Sequence, residues 1–169
     1  MTKLLLCDLD GTLRRSRTGE RFFKNPQDQA LLPNVKQRLD DYASTGWVIH
    51  GVTNQGGVEK GYKTYDTCVE EQEFFLTLYP LKSVLFCPDY SGNECTEVFP
   101  DGTLSSPSIT HHELCGTFRK PGAGMLRYLL LQHQAHPSDC LMVGDRPEDC
   151  QAAKLAGVPF MWAGDWRNG

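Results

Sequence analysis

Short apolar runs recur along the chain, each closed by a polar or glycine-bearing stretch. Leu4-Leu5-Leu6-Cys7 stops at Asp8-Leu9-Asp10-Gly11-Thr12-Leu13, and Trp47 to Val52 stops at Thr53-Asn54-Gln55-Gly56-Gly57. Further runs span Ser83–Cys87, Asp139–Val143 and Pro159–Trp162, the fourth closing on Gly144-Asp145. Runs of this length with sharp ends predict buried strands of a parallel sheet. Between them the period changes. Pro33-Asn34 opens a helix with Val35, Leu39, Tyr42 and Ala43 on one stripe and Gly46 beyond its end. Thr64–Leu78 places Tyr65, Cys68, Val69, Gln72, Leu76 and Tyr79 at helical spacing. Pro121-Gly122 opens a helix running to about His133, and Pro147–Ala156 is closed by Gly157.

Strands alternating with helices predict an α/β fold, a Rossmann-like three-layer sandwich around a central parallel sheet. At 169 residues the chain is expected to form a single domain, 1–169. Two segments interrupt the alternation. Residues 14–25 are polar and read as a flap beside the end of the first strand, with Arg14, Arg15, Arg17, Arg21 and Lys24 facing only Glu20. Residues 88–117 are rich in Gly, Pro, Ser and Asn, and Pro100-Asp101-Gly102 reads as a turn between two short strands. An irregular insertion of that length is more often functional than decorative.

Open α/β sheets hold their ligands at the carboxyl ends of the strands. Here those ends carry Asp8/Asp10, Thr53/Asn54 and Asp145/Asp149. If they meet, two carboxylates ~4 Å apart repel by roughly 4 kcal/mol at an effective dielectric near 20, and a cation or a proton must offset that. An oxygen-only donor set suits Mg²⁺ better than Zn²⁺. A Thr hydroxyl with Lys120, just ahead of a predicted helix, suits a phosphoryl group.

Composition narrows the classes without choosing among them. The net charge of −4 argues against a broad nucleic-acid-coating surface but leaves room for a local basic patch. No apolar run approaches the ~20 residues of a membrane span, so no membrane partner is expected. Seven cysteines, unpaired in sequence, point to a reduced, cytoplasmic protein.

The order Asp8-Leu9-Asp10-Gly11-Thr12-Leu13, then Thr53, then Lys120, then Gly144-Asp145-Arg146-Pro147-Glu148-Asp149 resembles the four motifs of the haloacid dehalogenase superfamily of phosphohydrolases. The resemblance implies that Asp8 is a nucleophile forming an aspartyl-phosphate and that Asp10 is the general acid and base. It implies that Thr53, Asn54 and Lys120 bind phosphate. Mg²⁺ would be held by Asp8, the Asp10 carbonyl, Asp145 and, assisting, Asp149. Dehalogenase-type members lack an acid at the position of Asp10, so phosphate ester cleavage is favoured. Neither gap is long enough for a large cap domain, which implies an open site for a phosphorylated substrate and no obligatory protein partner.

Two capless branches are similar around Thr53–Gly57 and Arg119–Met125: the polynucleotide 3′-phosphatases and the heptose-bisphosphate/histidinol-phosphate phosphatases. Thr18-Gly19-Glu20-Arg21-Phe22, with Pro26-Gln27-Asp28 beyond, resembles the first, and its basic run is consistent with a nucleic-acid end. A 3′-phosphorylated polynucleotide end is therefore the expected substrate, with Arg14, Arg17, Arg119 and Arg146 as substrate-side candidates. A sugar or amino-alcohol phosphate is the alternative. The second branch usually holds a structural zinc, but Asp89 stands at its His position, and Gly116 and Phe118 stand at its second Cys pair. Cys87, Cys95, Cys115 and His111/His112 leave an irregular alternative tetrad open. A phospho-accepting signalling module uses similar groups, yet lacks a positioned acid/base such as Asp10.

Overall fold

The structure, a computed structural model, describes residues 1–169. Its main sheet joins β1 (Leu4–Cys7), β4 (Val48–Asn54), β5 (Ser83–Cys87), β6 (Thr96–Val98), β7 (Leu104–Ser105), β8 (Leu141–Gly144) and β9 (Phe160–Trp162), in the order β7-β6-β5-β4-β1-β8-β9. Five of these strands are parallel, as the sequence predicts. The other two are not: β6 pairs antiparallel with β5, and β7 antiparallel with β6. The 88–117 insertion thus extends the sheet at one edge instead of standing apart from it.

Side chains alternate across a strand, and β1 shows the result. Leu4 and Leu6 enter one core beneath α4 (Gly124–His133) and α5 (Pro147–Ala156). Leu5 and Cys7 enter the other, beneath α1 (Val35–Ser44), α2 (Tyr65–Leu78) and α6 (Ala163–Asn168). These are the three layers expected, and no large cap domain covers the sheet's carboxyl edge. No helix is long and apolar enough to cross a membrane.

Several boundaries move for local reasons. Thr64 is the cap of α2, its hydroxyl accepting from Thr67 N–H. Phe75 and Glu71 are buried on that helix and Tyr65 is partly exposed, so the inward face is rotated from the expected stripe. α4 starts at Gly124, not Pro121, because Gly122 and Gly124 lie against the Thr117 backbone; a Cβ on Gly122 would fall 2.3 Å from Thr117 O. Pro137–Asp139 is a 3₁₀ turn, which delays β8 to Leu141. The short helix α3 (Pro107–Thr110) and α6 carry no sequence signal strong enough to count. The flap is a hairpin whose base pairs β2 (Arg14–Arg15) with β3 (Ala30–Leu31).

A polar row crosses the sheet away from its carboxyl edge. His50 Nδ1 lies 2.7 Å from Ser83 Oγ, Ser83 donates to Glu97 Oε2, and Ser105 donates to Glu97 Oε1. Helix α4 closes it from one side through Tyr128 OH to Glu97 and through His133, whose Nε2 lies 2.8 Å from that of His50.

Candidate active site

β1, β4 and β8 are adjacent and parallel, so their carboxyl ends meet at one rim. The rim gathers Asp8, Thr53, Lys120, Asp145 and Asp149. Lys120 Nζ donates to Asp8 Oδ1 at 2.9 Å, to Asp149 Oδ1 at 2.6 Å and to Val52 O at 2.9 Å. Burial works against this ammonium, and the two carboxylates outweigh it, keeping Lys120 charged. Burial also pushes Asp8 up to about 6 against the pull of Lys120, and the neighbouring Asp145 and Asp10 add to the rise. Asp149 is raised by burial, opposed by Lys120.

Asp8, Asp145 and Asp149 are a set whose ligand oxygens lie within 4.8 Å of one another. Thr12, fully buried, donates to Asp8 Oδ2 at 3.1 Å and sits 3.5 Å from Asp145 Oδ1. Asp149 also fixes the turn into α5, because its Oδ2 accepts from the backbone N–H groups of Asp145 and Arg146. Close packing explains two glycines. A Cβ on Gly11 would fall 2.2 Å from Asp145 Oδ2, and one on Gly144 would fall 2.4 Å from Asp149 Cβ. The donor set is hard oxygen throughout, and one lysine faces three carboxylates, so these residues fit Mg²⁺.

Asp10 stands apart, its side chain 51% exposed. Oδ1 accepts from Arg14 Nε at 2.8 Å and Oδ2 from Gln55 Nε2 at 2.9 Å. Burial of the group tends to raise its pKa, but Arg14, Lys63 and Gln55 more than offset this and hold it below the usual carboxylate range. Gln55 also donates to Thr53 Oγ1, and Lys63 joins Gln55 Oε1 to Glu71. Thr12, Gln55 and Lys63 are thus parts of the site that sequence reasoning missed. Gln55 had a signal, since it lies two residues after Thr53 in the polar stretch that ends β4.

Two expected roles are corrected by position. Arg14 is fully buried, with its guanidinium 5.1 Å from the Phe23 ring and 5.7 Å from that of Phe75 and with Nη1 on Gln29 Oε1, so it does not face substrate. Asn54 does not offer its amide to phosphate: Nδ2 donates to Lys120 O at 2.8 Å and Oδ1 accepts from Lys120 N–H at 2.9 Å, clamping the peptide behind the ammonium. Of the other arginines, Arg17 is exposed beside a hollow of the flap lined also by Thr18, Lys24 and Asp28. Arg119 lies over Tyr90, its guanidinium carbon 4.3 Å from the ring centre, and Arg146 is exposed.

The insertion is organised around a carboxylate. Asp89 accepts from the N–H groups of Asn93 and Glu94, the Ser91 hydroxyl and the Cys87 thiol. His111 packs edge-on against Tyr128, and Cys115 is exposed and directed at Ser108 O. These side chains do not converge as a set of metal ligands.

The rim of the parallel sheet brings paired carboxylates to a buried lysine and a threonine, and residues 117–163 match the family model described as HAD-hydrolase-like. Among curated proteins, the chain is 29% identical over 161 residues to the D-glycero-beta-D-manno-heptose-1,7-bisphosphate 7-phosphatase of Haemophilus ducreyi, covering 92% of this chain and 79% of that one. It is 28% identical over 156 residues to the D-glycero-D-manno-heptose-1,7-bisphosphate 7-phosphatase of Thermosynechococcus vestitus, covering 89% and 72%. The fold is similar to that of the D,D-heptose 1,7-bisphosphate phosphatase of B. bronchiseptica, solved with magnesium and phosphate. That match has a TM-score of 0.70 and 22% identity over 94% of this chain and 79% of the other.

Proposed function

We propose that the protein hydrolyses a phosphate monoester of a small sugar-type substrate, of the heptose-bisphosphate class, through an aspartyl-phosphate on Asp8. The observation that carries the chemistry is the buried Lys120 bound to both Asp8 and Asp149, beside Asp145. The substrate class is supported by the names of the curated relatives, which favour it over the polynucleotide end expected from the flap. The inward turn of Arg14 further weakens the nucleic-acid reading, because it removes one cation from the basic run.

In this reading an Asp8 oxygen attacks phosphorus and the ester P–O bond breaks, the leaving oxygen taking a proton from Asp10. Water then attacks the phosphorus of the acyl phosphate, giving a proton to Asp10, and the Asp8 O–P bond breaks to release inorganic phosphate. Thr53 and Lys120 would hold the phosphoryl oxygens. The pair that Asp10 makes with Arg14 favours its carboxylate, the form needed for the second step; the first requires Asp10 to leave Arg14 and turn inward. Mg²⁺, held by Asp8, Asp145 and the Asp10 carbonyl with Asp149 behind them, would offset the negative charge gathered on the transferring group.

The test is a substrate panel with Mg²⁺ and with EDTA. D-glycero-D-manno-heptose 1,7-bisphosphate should be turned over well above a 3′-phosphorylated oligonucleotide, and both EDTA and Asp8→Asn should abolish turnover. Preference for the oligonucleotide would restore the other branch, and near-normal activity of Asp8→Asn would falsify the aspartyl-phosphate.

A further inference from the structure

We propose that Arg167, in the C-terminal helix α6, is a positioning residue for the loop that carries Asp8, Asp10 and Thr12. The proposal rests on the phosphatase reading above, because the loop's chemistry is the chemistry of that site. The loop's carbonyls reveal what Arg167 does. Leu9 O accepts the backbone N–H groups of Thr12, Leu13 and Arg14 at 3.1, 2.9 and 3.0 Å. Gly11 O and Thr12 O accept from Arg167 Nη1 at 3.3 and 2.9 Å. Asp10 O, between them, has no donor within the protein. Arg167 therefore ties down the two carbonyls that follow Asp10 and leaves the Asp10 carbonyl, the one expected to ligate Mg²⁺, directed by the loop's geometry.

The loop has little slack. A Cβ on Gly11 would fall 2.2 Å from Asp145 Oδ2, so the loop packs against that carboxylate and a small outward shift of residues 11–12 would open a gap at Asp145. The same shift would pull the Thr12 hydroxyl from Asp8. A guanidinium donating to carbonyls makes charge-assisted bonds stronger than neutral ones. The helix does not depend on Arg167 for its own seat. Trp166 is fully buried against Tyr42, their ring centres 6.1 Å apart, and Arg38 Nε donates to Trp166 O at 2.7 Å. Replacing Arg167 should thus leave α6 in place and free only the loop.

The experiment compares R167Q and R167K with the unaltered full chain, reading p-nitrophenyl phosphate turnover, calorimetric titration with Mg²⁺ alone, and thermal unfolding. Groups that orient metal ligands typically change affinity or activity by about 10–100-fold when removed, so R167Q should lower kcat and weaken Mg²⁺ binding on that order, with KM and Tm nearly unchanged. R167K keeps a cation for the carbonyls and should recover part of both losses. Unchanged kcat and Mg²⁺ affinity in R167Q overturns the proposal. So does a fall in Tm with both quantities preserved below the transition, since that is a purely structural role. If the unaltered chain binds Mg²⁺ but turns over no phosphate ester, the phosphatase reading fails alone, and the Mg²⁺ affinity of R167Q still decides the part played by Arg167.

Discussion

Lys120 has three ammonium protons, and the fold uses all of them on Asp8, Asp149 and Val52 O. Arg14 is committed through Nε to Asp10 and Nη1 to Gln29, while its Nη2 is buried without a partner. Arg14→Met would leave Gln29 Oε1, in a residue only 1% exposed, without its charged partner. Stranding a buried acceptor costs roughly 1–3 kcal/mol, so the unfolding midpoint in urea should fall accordingly, and kcat should fall with KM nearly unchanged. Arg14→Lys should not recover kcat, because one ammonium cannot reproduce the fork that meets both partners. A raised KM with intact kcat would instead return Arg14 to the substrate side. At this scale Asp8 and Asp145 were legible in the sequence because each closes an apolar run, whereas the role of Asp149, in the first turn of α5, followed only from the family resemblance. The inward turn of Arg14 was not, because five cations in a short segment read as one solvated face. The missed signal was period two: Arg14 and Arg15 lie on a strand, one side chain buried and the next exposed.

At the scale of elements, the insertion holds its shape through Asp89, and its loop accepts the Gly116 and Phe118 N–H groups at Gly92 O. Asp89→Ala removes four acceptor contacts at once and should lower stability by roughly 1–3 kcal/mol, on the scale of stranded polar groups. The same melt repeated with a zinc chelator should show no shift in the unaltered protein. A chelator-dependent Tm would mean that a metal, and not the carboxylate, organises the loop. Helices α1, α2 and α5 and strands β1, β4 and β5 follow from apolar period and caps, because each is long enough for a pattern to repeat. α6 has one tryptophan and one alanine facing inward across six residues, too few for a period to show. β6 and β7, three and two residues long, join the sheet through tertiary pairing that no local preference announces.

The molecule as a whole carries a pH dependence that lies away from its rim. Burial is the main cause that pushes His50 down to about 3, with the charge of His133 and Lys82 adding to it. Between pH 6.5 and 3 the unfolded chain therefore binds a proton at His50 that the folded chain refuses. Unfolding is favoured as pH falls through that window, by up to about 1.4 kcal/mol per pH unit for one group. Asp8, raised to about 6, takes up a proton in the folded state over the same range and acts the opposite way, so between about pH 7 and about pH 5 the urea midpoint should fall relative to that of His50→Gln. An equal slope in the variant would assign the effect elsewhere. Glu97 accepts hydroxyl protons from Ser83, Ser105 and Tyr128, so Ser83 has only an acceptor left for His50, which places the imidazole hydrogen on Nδ1. His133 must then be the donor to His50 Nε2.

No large cap closes over the strand ends, so water could reach a phosphorylated Asp8 past the loops of the rim, although the carboxylate itself is buried. Water would outnumber every other acceptor there, and the enzyme would have no means of holding a departing alcohol for a return transfer. On the proposed chemistry, such a site would favour hydrolysis over return transfer. It would be poorly suited to moving a phosphoryl group between positions of a sugar, and released phosphate would find the same open way back in.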